Sequence, residues 1–514
     1  MQPIIATTPI LIILILMVGY RWGAARAGAA GYLAALVISI AFFGANTEVL
    51  AYAHVRAILL TFDVLFIIWT AYLLYRVSDA AGAIKTIGKA LRQLTDDKGM
   101  QAILIGWVFA SFLQGTGGFG VPVAVTAPLL IGLGFSPLTA VVIPTIGHGW
   151  AVTFGSLGSS FNALISTTGL EASYLAPAAA SFLGLAALPV GLMVVHAADG
   201  WRGVKRLALK VILIGAVMGG TQYLVAATLG LWNIGSFAGG LAGLIVGVPL
   251  AHWDETSPIS SERVGAKPLF IALSAYLVLI FFTVGILLIP PLFAPEVKQA
   301  LGQFAIKIPF PETVTSLGFV SPAGTNKPIP IFTHAGAILL YAASTAFVIY
   351  KRAGLYAAGA GKKLLNETAS KMVTSSLSVA LTVTMAVIME QSGMTEAIAQ
   401  GLASAFGSIF PFIAPWIGGI GAFMTGSNTD SNVVFAALQM RTAELLGYSV
   451  PIILAAQTSG AALTSVLAPM KLVVGTSTAG MEGREGIVLR ALIGYGGGLV
   501  LFISLLTILA MTRS

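Results

Sequence analysis

The sequence has no cysteine, and only 9% of its 514 residues are charged. The first absence excludes disulfides and any thiolate metal site. The second excludes a soluble enzyme, a disordered chain and a nucleic-acid binder, because soluble domains carry roughly 25% charged residues. Also missing are the stretches of about ten alternating apolar and polar residues that build a membrane β-barrel. No Lys or Arg precedes Arg21, and the apolar run from Pro3 to Tyr20 is long for a signal peptide, so it reads as an uncleaved first helix. What fills the chain instead is 57% hydrophobic residues, with 59 Gly and 23 Pro to interrupt helices and a mean hydropathy of +0.93. That composition predicts an all-α polytopic membrane protein. In a soluble protein the formal charge of +8 would point to an acidic partner; here it fits Lys and Arg held in cytoplasmic loops. No cofactor is expected.

A spanning helix needs about 20 mainly apolar residues. Full crossings are expected near 3–20, 27–45, 57–76, 137–166, 174–198, 210–231, 233–251, 269–291, 329–351, 372–392, 450–477 and 488–511. Two further apolar stretches, 100–134 and 411–447, have polar, Gly-rich centres and are expected to form re-entrant hairpins. With both termini outside, 20 of the 27 Lys and Arg fall in inside segments, Arg21 and Arg263 among them. Six, including Lys327 and Arg513, fall outside, and Lys471 lies within a span. If one hairpin crossed fully, every later loop would change sides and this bias would weaken. The expected location is the cytoplasmic membrane.

The chain also repeats itself. A shift of 311 residues aligns Phe112-Leu-Gln-Gly115 with Phe423-Met-Thr-Gly426, and Ser166-Thr-Thr-Gly-Leu-Glu171 with Ser477-Thr-Ala-Gly-Met-Glu482. Each copy reads as a span, an amphipathic helix, a hairpin and a span with a polar middle. The first span runs inward in one copy and outward in the other, so the copies are inverted, as in secondary transporters. The organisation expected is N-terminal scaffold helices 1–56, a first repeat 57–171, connecting scaffold helices 174–351, a second repeat 372–482 and a C-terminal helix 488–514.

Helices break within a membrane only where protein or water covers the freed backbone. The first break reads Gln114-Gly-Thr-Gly-Gly118 and runs on to Pro122; the second reads Thr425-Gly-Ser-Asn-Thr-Asp-Ser-Asn432. Gly-rich tips let N–H groups reach a ligand, and the start of the returning helix favours an anion. The same Ser, Thr, Asn and Asp residues also serve as ordinary helix caps. The candidate substrate-binding residues are Gln114, Gly115, Thr116, Gly117, Gly118, Ser427, Asn428, Thr429 and Ser431, joined by Thr153, Ser156, Gln457 and Ser459 from the broken spans. Lys471 is expensive inside a bilayer and fits either a counter-charge to an anion or a side chain snorkelling to the interface. Proton carriage falls to His148, Asp430 or Asp63. Asp430 alternatively pairs with Lys471 or caps a helix.

The stretch Phe112-Leu-Gln-Gly-Thr-Gly-Gly-Phe-Gly-Val-Pro-Val-Ala-Val-Thr-Ala-Pro128, followed by Phe423-Met-Thr-Gly-Ser-Asn-Thr-Asp-Ser-Asn432, resembles the lactate permease family. The resemblance implies uptake of 2-hydroxymonocarboxylates such as lactate and glycolate, with a proton as the coupling ion and sodium as the alternative. It also implies kinship with an ion-transporter superfamily whose members work as elevators and form homodimers. The chain departs from the family's common pattern at Gln114, where an acidic residue is usual. An anion channel is the remaining alternative, since hairpin tips also build filters.

Overall fold

The computed structural model describes residues 2–20, 22–118, 120–252, 264–288, 295–326, 328–482 and 484–512. Phe119 at the first tip, and Arg21, Arg263, Lys327 and Arg513 of the charge tally, lie outside them.

The chain opens with α1 (Gln2–Leu14), α2 (Ala24–Phe43) and α3 (Thr47–Ala80). The last starts ten residues before the crossing expected at 57. Asn46 explains this, because its side chain accepts from the Val49 N–H at 2.9 Å and caps the helix. α4 (Ala83–Arg92) buries Ile84, Ile87 and Leu91 and exposes Lys85 and Lys89, as its amphipathic pattern predicts. The first hairpin runs through α5 (Lys98–Gln101), a π-wound stretch (Ala102–Phe109), α6 (Ala110–Thr116) and, after the tip, α7 (Val121–Ile131). α8 (Pro137–Gly147) and α9 (Ser159–Thr168) form the first broken helix.

α10 (Ala172–Tyr223) holds two expected crossings in one helical stretch, interrupted at Gly200 with φ 61° and ψ −161°. After α11 (Gly235–His252), α12 (Ala266–Thr283) and α13 (Pro295–Gln303), the all-α expectation needs amendment. Residues 305–330 fold as a nested antiparallel ladder, pairing β1 (Ala305–Ile306), β2 (Pro309–Phe310) and β3 (Thr313–Val314) with β6 (Ile329–Pro330), β5 (Gly324–Thr325) and β4 (Val320–Ser321) in turn. Prolines at 309, 311, 322, 328 and 330 deny this segment a helix, and Thr and Val favour the strands.

α14 (Ala335–Arg352), α15 (Ala360–Gln391) and the short α16 (Met394–Phe406) follow. The second hairpin is α17 (Phe410–Thr425) and α18 (Asn428–Leu446). The second broken helix is α19 (Val450–Ser465) and α20 (Pro469–Thr478), and α21 (Glu485–Met511) ends the fold. Among the described residues, nine helical stretches are long and apolar enough to cross a membrane. The expected crossings at 3–20 and 450–477 are not among them, because their helices are shorter, and neither is 329–351; the nine do include Met394–Thr425, which contains the first arm of the expected hairpin 411–447.

Buried apolar side chains form two clusters. The larger surrounds Trp107, Phe112, Trp150 and Phe161. The smaller joins α1, α2, α3 and α15 to Val433, Phe435 and Leu438 of α18. Lipid is as apolar as leucine, so helices associate through close packing at small residues. α17 and α19 do so: a Cβ on Gly460 would run into the Pro415 carbonyl, and one on Gly418 into the Gln457 backbone.

Candidate functional site

The unwound segment between α8 and α9 is the centre of the site. Pro144 lies within α8, which ends at His148, and two short 3-10 turns, Gly149–Ala151 and Ser156–Gly158, replace the helix. Ser156 and Leu157 adopt left-handed backbone (φ 47° and 53°), the two non-glycine residues that do so among those described. Such conformations cost on the order of 1–3 kcal/mol each and persist only where the surroundings enforce them.

The first tip packs against this segment from its own repeat. A Cβ on Gly118 would collide with Ser156 Oγ and approach Gln114 Nε2 to 3.6 Å. A Cβ on Gly155 would lie 2.7 Å from the Gln114 carbonyl. Gly115 is pressed against Phe237 of α11, and Gly117 against Tyr75 of α3. The hydroxyl of Thr116 donates to the Leu113 carbonyl at 3.2 Å, so it is partly used within its own helix.

The second tip reaches the same segment from the other repeat. Gly426 turns the chain with φ +72°, and Ser427 caps α18 by accepting from the Asp430 N–H at 3.1 Å. The cap places the next residues toward the break. Asn428 Nδ2 donates to Thr153 Oγ1 at 3.0 Å, and the Thr429 and Ser160 hydroxyls share a hydrogen bond of 3.0 Å. Asn432 Nδ2 donates to the Ser160 carbonyl at 2.9 Å and to Thr458 Oγ1 at 3.0 Å. Thr153 Oγ1 also contacts Thr458 Oγ1 at 3.1 Å. Ser431 and Gln457 are engaged more structurally: Ser431 Oγ donates to the Gly418 carbonyl at 2.8 Å, and Gln457 Nε2 donates to Ser431 Oγ at 3.1 Å.

Three buried oxygens of the second tip have no hydrogen-bond partner among the described residues, Asn428 Oδ1, Asp430 Oδ1 and Asn432 Oδ1, and neither do Ser459 Oγ on α19 and His148 Nε2 at the end of α8. Leaving such a group unsatisfied costs about 1–3 kcal/mol.

The structure therefore brings the two tips, Thr153, Ser156 and Thr458 together around one segment, while Gln457 bonds Ser431 of the second hairpin and Ser459 follows Thr458 on α19. Other expected residues sit apart. His148 is buried at the end of α8, where Nδ1–H donates to the Pro144 carbonyl at 2.6 Å, which leaves Nε2 as an acceptor. Lys471 opens α20 and donates to Ser465 Oγ at 3.2 Å. The anticipated ion pair with Asp430 is not formed: no carboxylate lies within ion-pair distance of Lys471 among the described residues. The break at 466–468 separates its helix from the tip, and the two charges act on each other only at longer range. Asp63 is part of neither group; it bonds Asn162, Ser166 and His334. Asn432, Thr458 and Ser160 complete the junction and were readable only as polar residues in apolar runs. His334 carried no signal at all, because it follows a loop and precedes its helix by one position.

Hairpin tips and unwound helices that share a buried polar junction define a membrane transporter, and solved transporters share the fold. The YdaH transporter of Alcanivorax borkumensis matches with TM-score 0.50 at 15% identity, over 90% of this chain and 88% of that one. MtrF of Neisseria gonorrhoeae matches with TM-score 0.52 at 14% identity, over 95% and 94%. At such identities the likeness is one of fold.

The chain belongs to the L-lactate permease family, whose profile matches residues 2–512. It is 28% identical to the glycolate permease GlcA of Escherichia coli K12 over 100% of this chain and 96% of the relative. It is 27% identical to the L-lactate permease of the same organism over 83% and 80%, and to that of Bacillus subtilis 168 over 96% and 92%. The protein is a multi-pass membrane permease and not an enzyme.

Proposed function

We propose that the protein takes up small 2-hydroxymonocarboxylates, such as lactate or glycolate, by proton symport across the cytoplasmic membrane. The observation that carries this reading is the meeting of both hairpin tips at residues 153–160, with polar atoms left unpartnered there. A substrate 2-hydroxyl would donate to Asn428 or Asn432 Oδ1. The carboxylate would accept from the Ser459 hydroxyl and from N–H groups at the Gly-rich first tip, with Lys471 as counter-charge. The names of the relatives support the substrate class.

The order α3–α4–hairpin–broken helix recurs as α15–α16–hairpin–broken helix, which supports two inverted repeats at 57–171 and 372–482. On this reading the hairpins and broken helices of the two repeats form the moving part of an elevator, the remaining helices, α3 and α15 among them, are its scaffold, and both termini face outward. A homodimer follows from the superfamily's habit.

A monocarboxylate carried with one proton moves no net charge, so uptake follows the pH gradient. Membrane potential, worth roughly 2.3 kcal/mol per charge per 100 mV, does not drive it. In proteoliposomes, an inward proton gradient is expected to stimulate uptake of labelled lactate. A sodium requirement without proton stimulation would overturn symport with protons. That second reading has its own support, because the unpartnered oxygens of Asn428, Asp430 and Asn432 are the hard donors an alkali cation takes. Large single-channel currents would instead favour an anion pore.

Lys471→Ala is expected to raise the KM for lactate by roughly 10- to 100-fold, the equivalent of a charge-assisted hydrogen bond worth ~1.5–3 kcal/mol. An unchanged KM rejects the counter-charge role.

A further inference from the structure

Asp63 lies midway along α3, is 5% exposed, and accepts three hydrogen bonds from other described residues. Asn162 Nδ2 and Ser166 Oγ of α9 donate to Oδ2 at 2.8 and 2.6 Å. His334 Nε2 lies 2.8 Å from Oδ1. His334 is also the cap of α14, and its Nδ1 accepts from the Gly336 N–H at 3.1 Å. A ring nitrogen that accepts from a backbone N–H carries no hydrogen. The hydrogen therefore sits on Nε2, and the imidazole is neutral in this arrangement. A further proton on the imidazole would have to displace the helix cap, whereas the Asp63 carboxylate has lone pairs to take one.

Asp63 can be reached. It forms part of the wall of a cavity of about 190 Å³ that opens at the exposed residues Gly169 and Thr325. Among the described residues, the charged or titratable groups around Asp63 are Arg56 on α3, Glu390 on α15 and His334 before α14. α9 and the β5 strand present only uncharged side chains to the cavity. Arg56 holds its guanidinium over the Phe310 ring at 4.3 Å, with Nε unpartnered, and opposes the charge of Glu390. Neither His148 nor Asp430 lines this cavity.

The position of Asp63 in the framework matters as much. α9 is tied to the second tip by Ser160, which bonds Thr429 and Asn432. The same helix is tied to α3 and α14 through Asp63. Any displacement of the junction relative to α3 must strip Asn162 and Ser166 from that carboxylate.

We propose that Asp63 is the site of the transported proton, and that its protonation releases α9 from α3. The inference rests on the proton-symport reading and assigns the coupling site within it. The proton passes from cavity water to a carboxylate oxygen of Asp63, and it leaves to water on the opposite side after the displacement. An ionised carboxylate with three donors holds the arrangement described. Protonation removes the charge that strengthens all three bonds and turns one oxygen into a donor, so the hold on Asn162 and Ser166 weakens and the arrangement in which they have withdrawn is favoured. Linkage makes the relation reciprocal: displacement of α9 favours proton uptake by Asp63. His334 is a positioning residue, held by the helix cap with Nε2 toward Asp63.

The test uses full-length wild type, Asp63→Asn and His334→Gln in proteoliposomes, with labelled lactate. Two quantities are read: accumulation driven by an inward proton gradient, and lactate exchange at equal pH on both sides. Asp63→Asn is expected to keep exchange and to lose all stimulation by the gradient. His334→Gln, whose amide both donates to Asp63 and accepts from Gly336, is expected to remain gradient-driven. If the wild type is gradient-driven and Asp63→Asn equally so, the inference fails and symport stands. Loss of exchange together with accumulation in Asp63→Asn would make the residue a structural tie and overturn its role as carrier. Loss of coupling in His334→Gln with exchange intact would put the proton on the imidazole and overturn it as well. A wild type indifferent to the gradient removes the symport reading and this inference together.

Discussion

Asn428→Leu is expected to lower kcat/KM for lactate uptake by roughly 100-fold while the protein still purifies as a folded, monodisperse species. Leucine has nearly the shape of asparagine, so packing at the second tip survives. What disappears is the donation from Nδ2 to Thr153 at 3.0 Å and the buried acceptor Oδ1, which is free to meet a substrate hydroxyl. Each such group is worth about 1–3 kcal/mol, and 1.4 kcal/mol is about a factor of ten in rate. The measurement is initial uptake in proteoliposomes beside the midpoint of thermal unfolding in detergent. Retention of uptake within about threefold of wild type would show that the junction does not handle substrate. A collapse of the unfolding midpoint would show that Asn428 is a structural bond only.

The second large effect concerns stability. Gly460→Leu is expected to prevent accumulation of folded protein, or to lower its unfolding midpoint sharply. At Gly460 a Cβ would overlap the Pro415 carbonyl and lie 2.8 Å from the Pro415 Cα, and all of these are backbone atoms that no rotamer change can move. Overpacking a well-filled site costs typically 1–3 kcal/mol, and a collision with backbone on both helices exceeds that range. The reciprocal contact at Gly418, whose Cβ would fall 2.7 Å from Gln457 Oε1, gives no room for one helix to yield toward the other. Gly497→Ala in α21, where a Cβ meets nothing within 4 Å, is the matched control and is expected to leave the midpoint unchanged. Equal midpoints for the two variants would mean that α17 and α19 are not in close contact.

These two residues also show how legible the site was. Asn428 was readable because a polar run inside a 37-residue apolar stretch, 411–447, can persist only if something covers it. The same logic exposed the break between α8 and α9 and the Gly-rich first tip. It did not expose Thr458 or Asn432 as partners of that break, since hydropathy reports that a polar group is buried and says nothing about its neighbour. Lys471 shows a different limit. Its isolation in an apolar run implied a need for a partner without naming one, and in the structure its ammonium group donates to Ser465 in its own broken helix. The ladder at 305–330 was missed because two-residue strands leave no periodicity to detect.

The amino-acid sequence by itself determined that this chain lives in a membrane, where its helices break, and to which family of permeases it belongs. Composition and helix-breaking residues are local quantities, and lipid punishes any violation of them along the chain. Only the tertiary structure decided which polar groups meet. Asn428 finds Thr153 across 275 residues, and Asp63 finds His334 across 271. A buried donor or acceptor must be satisfied by whatever the packing of distant helices brings to it, and no local pattern records that choice.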